Sequence, residues 1–163
     1  MMVISNTSPV SNLAILGRLD LLLEQFGHVR IPHAVQNELE ALEHPIAVEV
    51  IRKAFGQWLK VTPIANRHIV RAFGEQLDPG EAEAIGLALE CNADLLLIDE
   101  SDGRDVALGV GLRVRGALGV LRRAKQTGRI PSLKHELIRL REEAHFFISP
   151  ALETELLRSV GEA

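Results

Sequence analysis

Three acidic residues occupy positions where a carboxylate is costly. Asp99 directly follows residues 95–98, an apolar run typical of a strand buried on both faces of a parallel sheet. Glu83 lies in a helix pattern that is apolar almost all the way round, and Glu38 lies on the apolar stripe of another helix. A carboxylate in such surroundings is expensive unless it is paired or binds a metal ion. The three acids have no matching basic cluster, so they predict a site for a divalent cation.

The available ligands favour a hard cation. Mg²⁺ and Mn²⁺ prefer oxygen ligands, whereas zinc is bound mainly by histidine and cysteine. The six histidines show no metal-ligand spacing, and Cys91 is the only cysteine. The expected cofactor is therefore Mg²⁺ or Mn²⁺.

Each of these acids also has a simpler structural interpretation. Asp99 could be a solvated strand end or a helix N-cap. Glu83 could form a salt bridge with an internal arginine, and Glu38 could lie at the edge of its stripe. Glu100 fits a solvated position better than a site, and Glu81 suits the acid of a capping box, so neither is taken as a ligand.

Length and composition limit the function classes. The chain has 163 residues, which predicts a single domain over 1–163. The net charge is −4, so binding to nucleic acid would require a local basic patch or metal ions. Aromatic residues make up only 4%, which argues against a nucleic-acid platform of stacked aromatics. No phosphate-binding glycine loop and no Gly-x-Ser-x-Gly elbow is present.

The sequence also bears on location. The N-terminus has no basic region followed by a long apolar run, so we expect no signal peptide. No window approaches 18 consecutive apolar residues, so we expect no membrane partner. With a single cysteine, Cys91, these features predict a cytoplasmic protein.

Short strand patterns alternate with longer helix patterns. This alternation predicts an α/β domain with a mostly parallel sheet, whose functional groups lie at the carboxyl ends of the strands. Asp78, Pro79 and Glu81 form the clearest helix start, with an N-cap, a first-turn proline and a capping box. Strands are predicted at 2–4, 29–31, 58–63, 95–98 and 113–115; helices at 10–16, 19–26, 32–43, 46–57, 65–76, 79–90, 105–110 and 117–127, with two more after Pro131.

Four segments resemble a known family when they are read in order. Residues 3–9 (Val-Ile-Ser-Asn-Thr-Ser-Pro) resemble the opening strand and turn of PIN-domain ribonucleases. Residues 31–39, 77–85 and 95–100 are similar to the family's second, third and fourth acidic motifs. The resemblance covers nearly the whole chain and is greatest to the DUF3368 branch, which is similar to VapC-type toxins.

The resemblance implies a fold and a function. The fold would be a three-layer α/β/α sandwich with a five-stranded sheet in the order 3-2-1-4-5, which places Asn6 beside Asp99 and brings Glu38 and Glu83 to them from flanking helices. These four residues would be catalytic, and Glu38, Glu83 and Asp99 would hold the metal. The implied activity is metal-dependent cleavage of RNA, and the implied partners are RNA, an antitoxin protein and a second copy of the chain.

Asn6 is a departure from the family pattern, which usually has aspartate there. An amide oxygen can ligate a hard cation but brings no charge, so metal binding and the positioning of the attacking water are weakened. The alternative function is therefore a binding module for RNA or an antitoxin-type protein that has lost turnover. A third interpretation is a phosphatase-like enzyme that uses Asp99 as the nucleophile.

Two further residues are candidates for substrate binding. Ser8 keeps the hydroxyl of the family motif, although it could equally be a helix N-cap before Pro9. Arg104 could reach a substrate phosphate, although a surface salt bridge is the simpler interpretation. A basic run could follow an RNA backbone or form a solvated helix face; it comprises Arg113, Arg115, Arg122, Arg123 and Lys125.

We also expect a homodimer. Apolar residues recur through the first helices and through residues 46–55, and a small domain cannot always bury all of them by itself. Core packing within one chain is the competing explanation. The residues concerned in the first helices are Leu13, Ile15, Leu16, Leu19, Leu22 and Leu23.

Overall fold

The computed structural model describes all 163 residues and contains one five-stranded sheet. The strands are parallel throughout and lie in the order β3-β2-β1-β4-β5. Because β1 pairs with both β2 and β4, the strand order changes direction beside β1. The strands are β1 (Val3–Ser5), β2 (Val29–Ile31), β3 (Leu59–Val61), β4 (Leu95–Leu97) and β5 (Val114–Arg115).

Ten helices connect and cover the strands. No helix combines the length and the apolar character needed to cross a membrane. The helices are α1 (Thr7–Ile15), α2 (Asp20–Phe26), α3 (His33–Glu40), α4 (Pro45–Ala54), α5 (Arg67–Phe73), α6 (Pro79–Glu90), α7 (Ser101–Gly109), α8 (Ala117–Gln126), α9 (Leu133–Glu143) and α10 (Pro150–Ser159).

The two central strands, β1 and β4, are fully buried, and helices cover both faces of the sheet, which makes three layers. Along β4, Leu95 and Leu97 join a core cluster with residues of α1, α2, α4 and α8, whereas Leu96 and Ile98 join a second cluster with α5, α6 and α7. Side chains alternate between the faces of a strand, so a continuous apolar run serves both layers. The expected α/β/α sandwich and its strand order are confirmed.

The main local predictions hold, with two changes at helix starts. All five strands lie within or one residue from their predicted positions, and Asp78 caps α6 through a complete capping box with Glu81. Helix α1 begins at Thr7 instead of residue 10, and α7 begins at Ser101 instead of residue 105. In both cases the helix starts immediately after the polar residues that end a strand, so these residues lie at a helix N-terminus.

Most of the apolar residues that suggested a dimer are used inside the chain. Leu13, Leu16, Leu19 and Leu22 are buried in the larger core cluster. Exposed apolar side chains remain on α2 and α4, at Leu23, Ile46 and Val50. Dimerisation therefore stays a prediction, and these three residues would form the apolar part of the interface.

A buried carboxylate ties α9 to the turn after α1. Glu136 has no exposed surface, and its two oxygens pair with Arg18 at 2.6 Å and Arg139 at 3.0 Å. Arg139 also donates to the carbonyl of Leu16 at 2.8 Å. Removing the charge of Glu136 would leave Arg18 without an acidic partner and Arg139 with Glu143 alone.

We expect Glu136→Gln to lower the free energy of unfolding by about 2–3 kcal/mol, because an unpaired polar group in a buried ion-pair network is costly. The matched control is Glu155→Gln on the exposed surface of α10, with an expected change within about 0.5 kcal/mol. Urea unfolding of the parent and the two variants measures the free energy of unfolding of each protein. Equal stability of the two variants would contradict the structural role of Glu136.

Candidate functional site

Asn6 lies at the point where β1 ends and α1 begins. Its backbone N–H donates to the carbonyl of Leu97 at 2.8 Å, so the backbone of Asn6 is held against β4. The side chain is 3% exposed and does not cap α1. Its amide nitrogen Nδ2 donates to Glu100 at 3.3 Å, and its oxygen Oδ1 is buried with no hydrogen-bond partner. The opposite orientation would put the amide oxygen against a carboxylate, so the hydrogen-bond network fixes Oδ1 as a free acceptor.

Glu100 connects Asn6 to the other acids of this region. One of its oxygens accepts from Asn6 and the other accepts from the hydroxyl of Ser8, and its charge raises the pKa of Glu38, Glu81 and Asp99. Glu100 is exposed, as the sequence indicates, but it also accepts hydrogen bonds from the side chains of Asn6 and Ser8. The missed signal is the start of α7 at Ser101, which puts Glu100 at a helix N-terminus.

Asp99 is held by two elements. One carboxylate oxygen accepts the backbone N–H of Ala117 at 2.7 Å, and the other accepts from the side chain of Asn12 at 3.2 Å. Gly116 precedes α8 and has no side chain to cap it; a Cβ there would lie 2.5 Å from Asp99. Asp99 therefore caps the first turn of α8 from β4. Burial raises the pKa of Asp99 to about 6, the hydrogen bond from Ala117 opposes this, and the charge of Glu100 adds to it.

Glu38 lies between the N-termini of α1 and α6. Both of its oxygens accept from the hydroxyl of Thr7, at 3.2 and 3.3 Å. A Cβ on Gly80 would overlap the carboxylate of Glu38, so this carboxylate needs a glycine at the second residue of α6. Burial raises the pKa of Glu38, and the charge of Asp78 adds to this.

Both carboxylate oxygens of Glu83 have partners in neighbouring helices. One oxygen accepts the backbone N–H of Ala34 at 3.1 Å, in the first turn of α3, and the other pairs with Arg67 at 3.2 Å. The charge of Glu83 also acts on Glu38, raising its pKa. The salt bridge agrees with the simpler interpretation of Glu83, except that Arg67 is exposed and not internal, and metal binding by Glu83 stays a prediction.

Glu81 is a second acid that the sequence does not predict as a metal ligand. It closes the capping box by accepting the N–H of Asp78 at 3.2 Å, as predicted. It is also buried against α7, where a Cβ on Gly103 would lie 2.9 Å from its carboxylate. Burial raises the pKa of Glu81 to about 7. The capping function that explained Glu81 in the sequence does not predict this burial.

Arg104 is the cation next to these acids. Its Nη1 donates to the carbonyl of Ile98 at 3.0 Å, and its charge lowers the pKa of Asp99. It forms no salt bridge, in contrast to the simpler interpretation of this residue. Ser8 does not cap a helix either, because it lies inside α1 and bonds to Glu100.

The predicted site residues form no hydrogen bond or ion pair with one another, and they are linked through Glu100 or through their charges. Asn6 and Ser8 share Glu100, and Asp99 follows Ile98 on the neighbouring strand. No group of three or more His, Cys, Asp or Glu side chains is arranged to hold a metal ion. The donor set nonetheless fits a hard cation, because it consists of oxygen atoms, includes the free buried acceptor Oδ1 of Asn6, and contains acids with raised pKa values.

These pKa shifts predict how stability depends on pH in the absence of metal. The folded state raises the pKa of Asp99 to about 6 and that of Glu81 to about 7, so between about pH 4 and 7 the folded state binds more protons than the unfolded state. The free energy of unfolding therefore falls as the pH rises through this window. Acids with lowered pKa values, such as Glu153, make the free energy of unfolding rise with pH, but only at lower pH.

We expect the melting temperature in EDTA to be higher at about pH 5 than at about pH 7.5, and Asp99→Asn to flatten this dependence because it removes one of the acids whose pKa is raised in the folded state. Differential scanning calorimetry across this range measures both effects. A parent protein that becomes more stable towards pH 7.5 would contradict the burial of these acids.

Comparison with known proteins agrees with this geometry. No curated protein and no solved structure matches the chain. A family model described as DUF3368, PIN domain, matches residues 2–162. The match spans nearly the whole chain, including the five strands and every residue of the acidic region described above. The chain therefore belongs to the PIN-domain family.

Proposed function

We propose that this PIN domain is a metal-dependent endoribonuclease of the VapC toxin type, which uses Mg²⁺ or Mn²⁺ to hydrolyse phosphodiester bonds in RNA. The proposal is carried by the free acceptor Oδ1 of Asn6. Leaving a buried polar atom unpaired costs about 1–3 kcal/mol, and this one lies in an acidic region that can attract a cation. A bound cation would satisfy the amide oxygen and offset the carboxylate charges at once.

The proposed catalytic residues are Asn6, Glu38, Glu83 and Asp99, and the structure adds Glu100 to the candidates. Glu38, Glu83 and Asp99 are the proposed carboxylate ligands. When bound, the metal ion would lower the pKa of a water molecule and stabilise negative charge on the phosphate. Both oxygens of Asp99 are fixed by hydrogen bonds, which suits a ligand better than the nucleophile of a phosphatase.

The neighbouring polar side chains position these acids. Thr7 donates to Glu38, and Ser8 donates to Glu100, so the first turn of α1 holds two carboxylates in place. Arg104 has no carboxylate partner and faces the cleft that Asp99 also lines. We propose that Arg104 contacts a phosphate of the substrate and that Ser8 also belongs to the substrate-binding residues.

A second candidate function follows from Asn6 itself. A carboxylate at this position would add a charge to the ligand set, whereas the amide instead donates a hydrogen bond to Glu100. That bond stabilises the site without metal. A PIN domain with this arrangement could bind RNA or an antitoxin-type protein without cleaving RNA.

Cleavage of RNA with Mn²⁺ separates the two functions. We expect the parent to cut a fluorescent RNA slowly and Asn6→Asp to raise the rate about tenfold or more, because the new carboxylate strengthens metal binding. Asn6→Asp should also melt at a lower temperature in EDTA, since like charges are crowded, and gain more from Mg²⁺ than the parent does.

The matched control is Asn66→Asp, which introduces the same charge at the exposed N-cap of α5 and should change neither rate nor melting behaviour. If neither the parent nor Asn6→Asp cleaves RNA, the enzyme proposal is wrong and the binding module is favoured. If Asn6→Asp melts like the parent in both conditions, Asn6 does not lie at a metal site.

Gly80 offers an independent test of Glu38. We expect Gly80→Ala to displace the Glu38 carboxylate, because the new Cβ would occupy its position, and to lower cleavage about as much as Glu38→Gln does. The fold should survive, since the displaced atoms are the end of a flexible side chain and alanine favours a helix by about 1 kcal/mol over glycine.

The control is Gly109→Ala, where a Cβ in α7 meets no atom within 4 Å. Rates of RNA cleavage and melting temperatures of the three variants are compared with those of the parent. Full activity of Gly80→Ala, together with a normal melting temperature, would argue against a function for Glu38 in the site.

A further inference from the structure

A cleft of about 660 Å³ runs from Asp99 along the start of α8. Its walls combine arginines with an aromatic side chain: Arg104 lies near the acidic end, Arg115 and Arg122 lie further along, and Phe147 lies on the segment before α10. Phe147 is 85% exposed, the largest exposed fraction among the large apolar residues. The cleft therefore offers both positive charge and an accessible aromatic face beside the acidic region.

A second cleft, of about 470 Å³, continues between α2 and α8. Arg115 and Arg122 line both clefts, and Arg123 lines the second. None of these three arginines forms a salt bridge with an acidic residue. Lys125, the other basic residue of α8, instead donates to the carbonyl of Pro131 and does not line either cleft.

Arg115 is positioned by its neighbours. Its guanidinium carbon lies 5.9 Å from the centre of the Phe26 ring, and its stem runs over Gly119, where a Cβ would be 2.7 Å from Cγ. Burial lowers the pKa of Arg115, and the charges of Arg123 and Arg122 lower it further. Three like charges are thus held together without a counter-charge, on a chain whose net charge is −4.

We propose that the two clefts form one binding surface for single-stranded RNA, in which a nucleobase stacks on Phe147 and a backbone phosphate binds between Arg115, Arg122 and Arg123. The inference rests on the proposed function, since it assigns the path of the substrate away from the acidic site. An RNA strand is the ligand that matches the three kinds of group on this surface: a phosphodiester for the acidic site at Asp99, a base for Phe147, and a phosphate for the arginines.

The aromatic side chain favours RNA in single-stranded form. Every base has a face that can stack on an aromatic ring, but the bases of a duplex are already stacked and paired. Bound phosphates would also relieve the repulsion among the arginines. An acidic protein segment could satisfy the charges, but it would not require the exposed face of Phe147.

Binding is measured in EDTA, so that no cleavage occurs, by fluorescence anisotropy of a labelled short oligouridylate. We expect Arg122→Ala/Arg123→Ala to weaken binding about tenfold or more at about 0.1 M salt and to reduce the dependence of log Kd on log salt by about 1.4, or about 0.7 for each lost phosphate contact. Both side chains are exposed, so the double variant should fold normally. The matched control is Arg52→Ala/Arg71→Ala, which removes two exposed arginines outside the clefts and should bind like the parent.

Variants of Phe147 test stacking separately from charge. Phe147→Ala and Phe147→Leu should each weaken binding about fivefold or more, whereas Phe147→Trp should keep or improve it. An RNA duplex of the same length should bind more weakly and should not respond to Phe147. Equal binding by the cleft variants and the control, or indifference to Phe147, would overturn the proposal. So would displacement of the RNA by a polyglutamate peptide of equal charge, which would assign the clefts to an acidic protein.

The two proposals fail in different ways. If the cleft variants lose RNA binding but no form of the protein cleaves RNA with Mn²⁺, the binding surface stands and the nuclease proposal falls. If the parent cleaves RNA and the cleft variants bind and cleave equally well, the nuclease proposal stands and the binding surface is wrong.

Discussion

The parallel pairing of β1 with β4 is the constraint on which the site depends. It places the residues that follow the two strands side by side, so Asn6 and Asp99 must share one edge of the sheet together with Glu100. The fold thereby concentrates negative charge where burial makes each charge expensive, as the raised pKa of Asp99 shows. Both the expected metal binding and the pH dependence originate in this crowding.

Helix N-termini offset part of this charge. Asp99 accepts an N–H in the first turn of α8, Glu83 accepts one in the first turn of α3, and Asp78 caps α6. The exposed N–H groups of a helix N-terminus carry partial positive charge, so they stabilise carboxylates without supplying a mobile cation. The acids are thus held in place while their net charge stays available to a ligand.

The arginine clefts give the molecule a second, opposite concentration of charge next to the first. Arg104 belongs to both regions, because it lies beside Asp99 and lines the cleft that leads to Arg115. Neighbouring regions of opposite charge suit a phosphodiester chain, which needs a cation at an acidic site but binds arginine directly. The proposed binding of RNA by a chain with net charge −4 would therefore depend on this local surface.

The sequence by itself determined the fold class, the strand positions and the capping box of α6, because these follow from local patterns of apolar and polar residues. The family followed from the resemblance of four short segments to PIN-domain motifs. This resemblance also singled out Asn6 and Asp99 as neighbours, through the strand order that the family implies. Only the tertiary structure decided that Glu100 connects Asn6 to Ser8, that Glu83 caps α3, and that Phe147 stands exposed beside the arginines. These outcomes depend on contacts between residues far apart in the chain, such as Ser8 with Glu100 and Glu83 with Ala34, and no periodic pattern records which side chains meet.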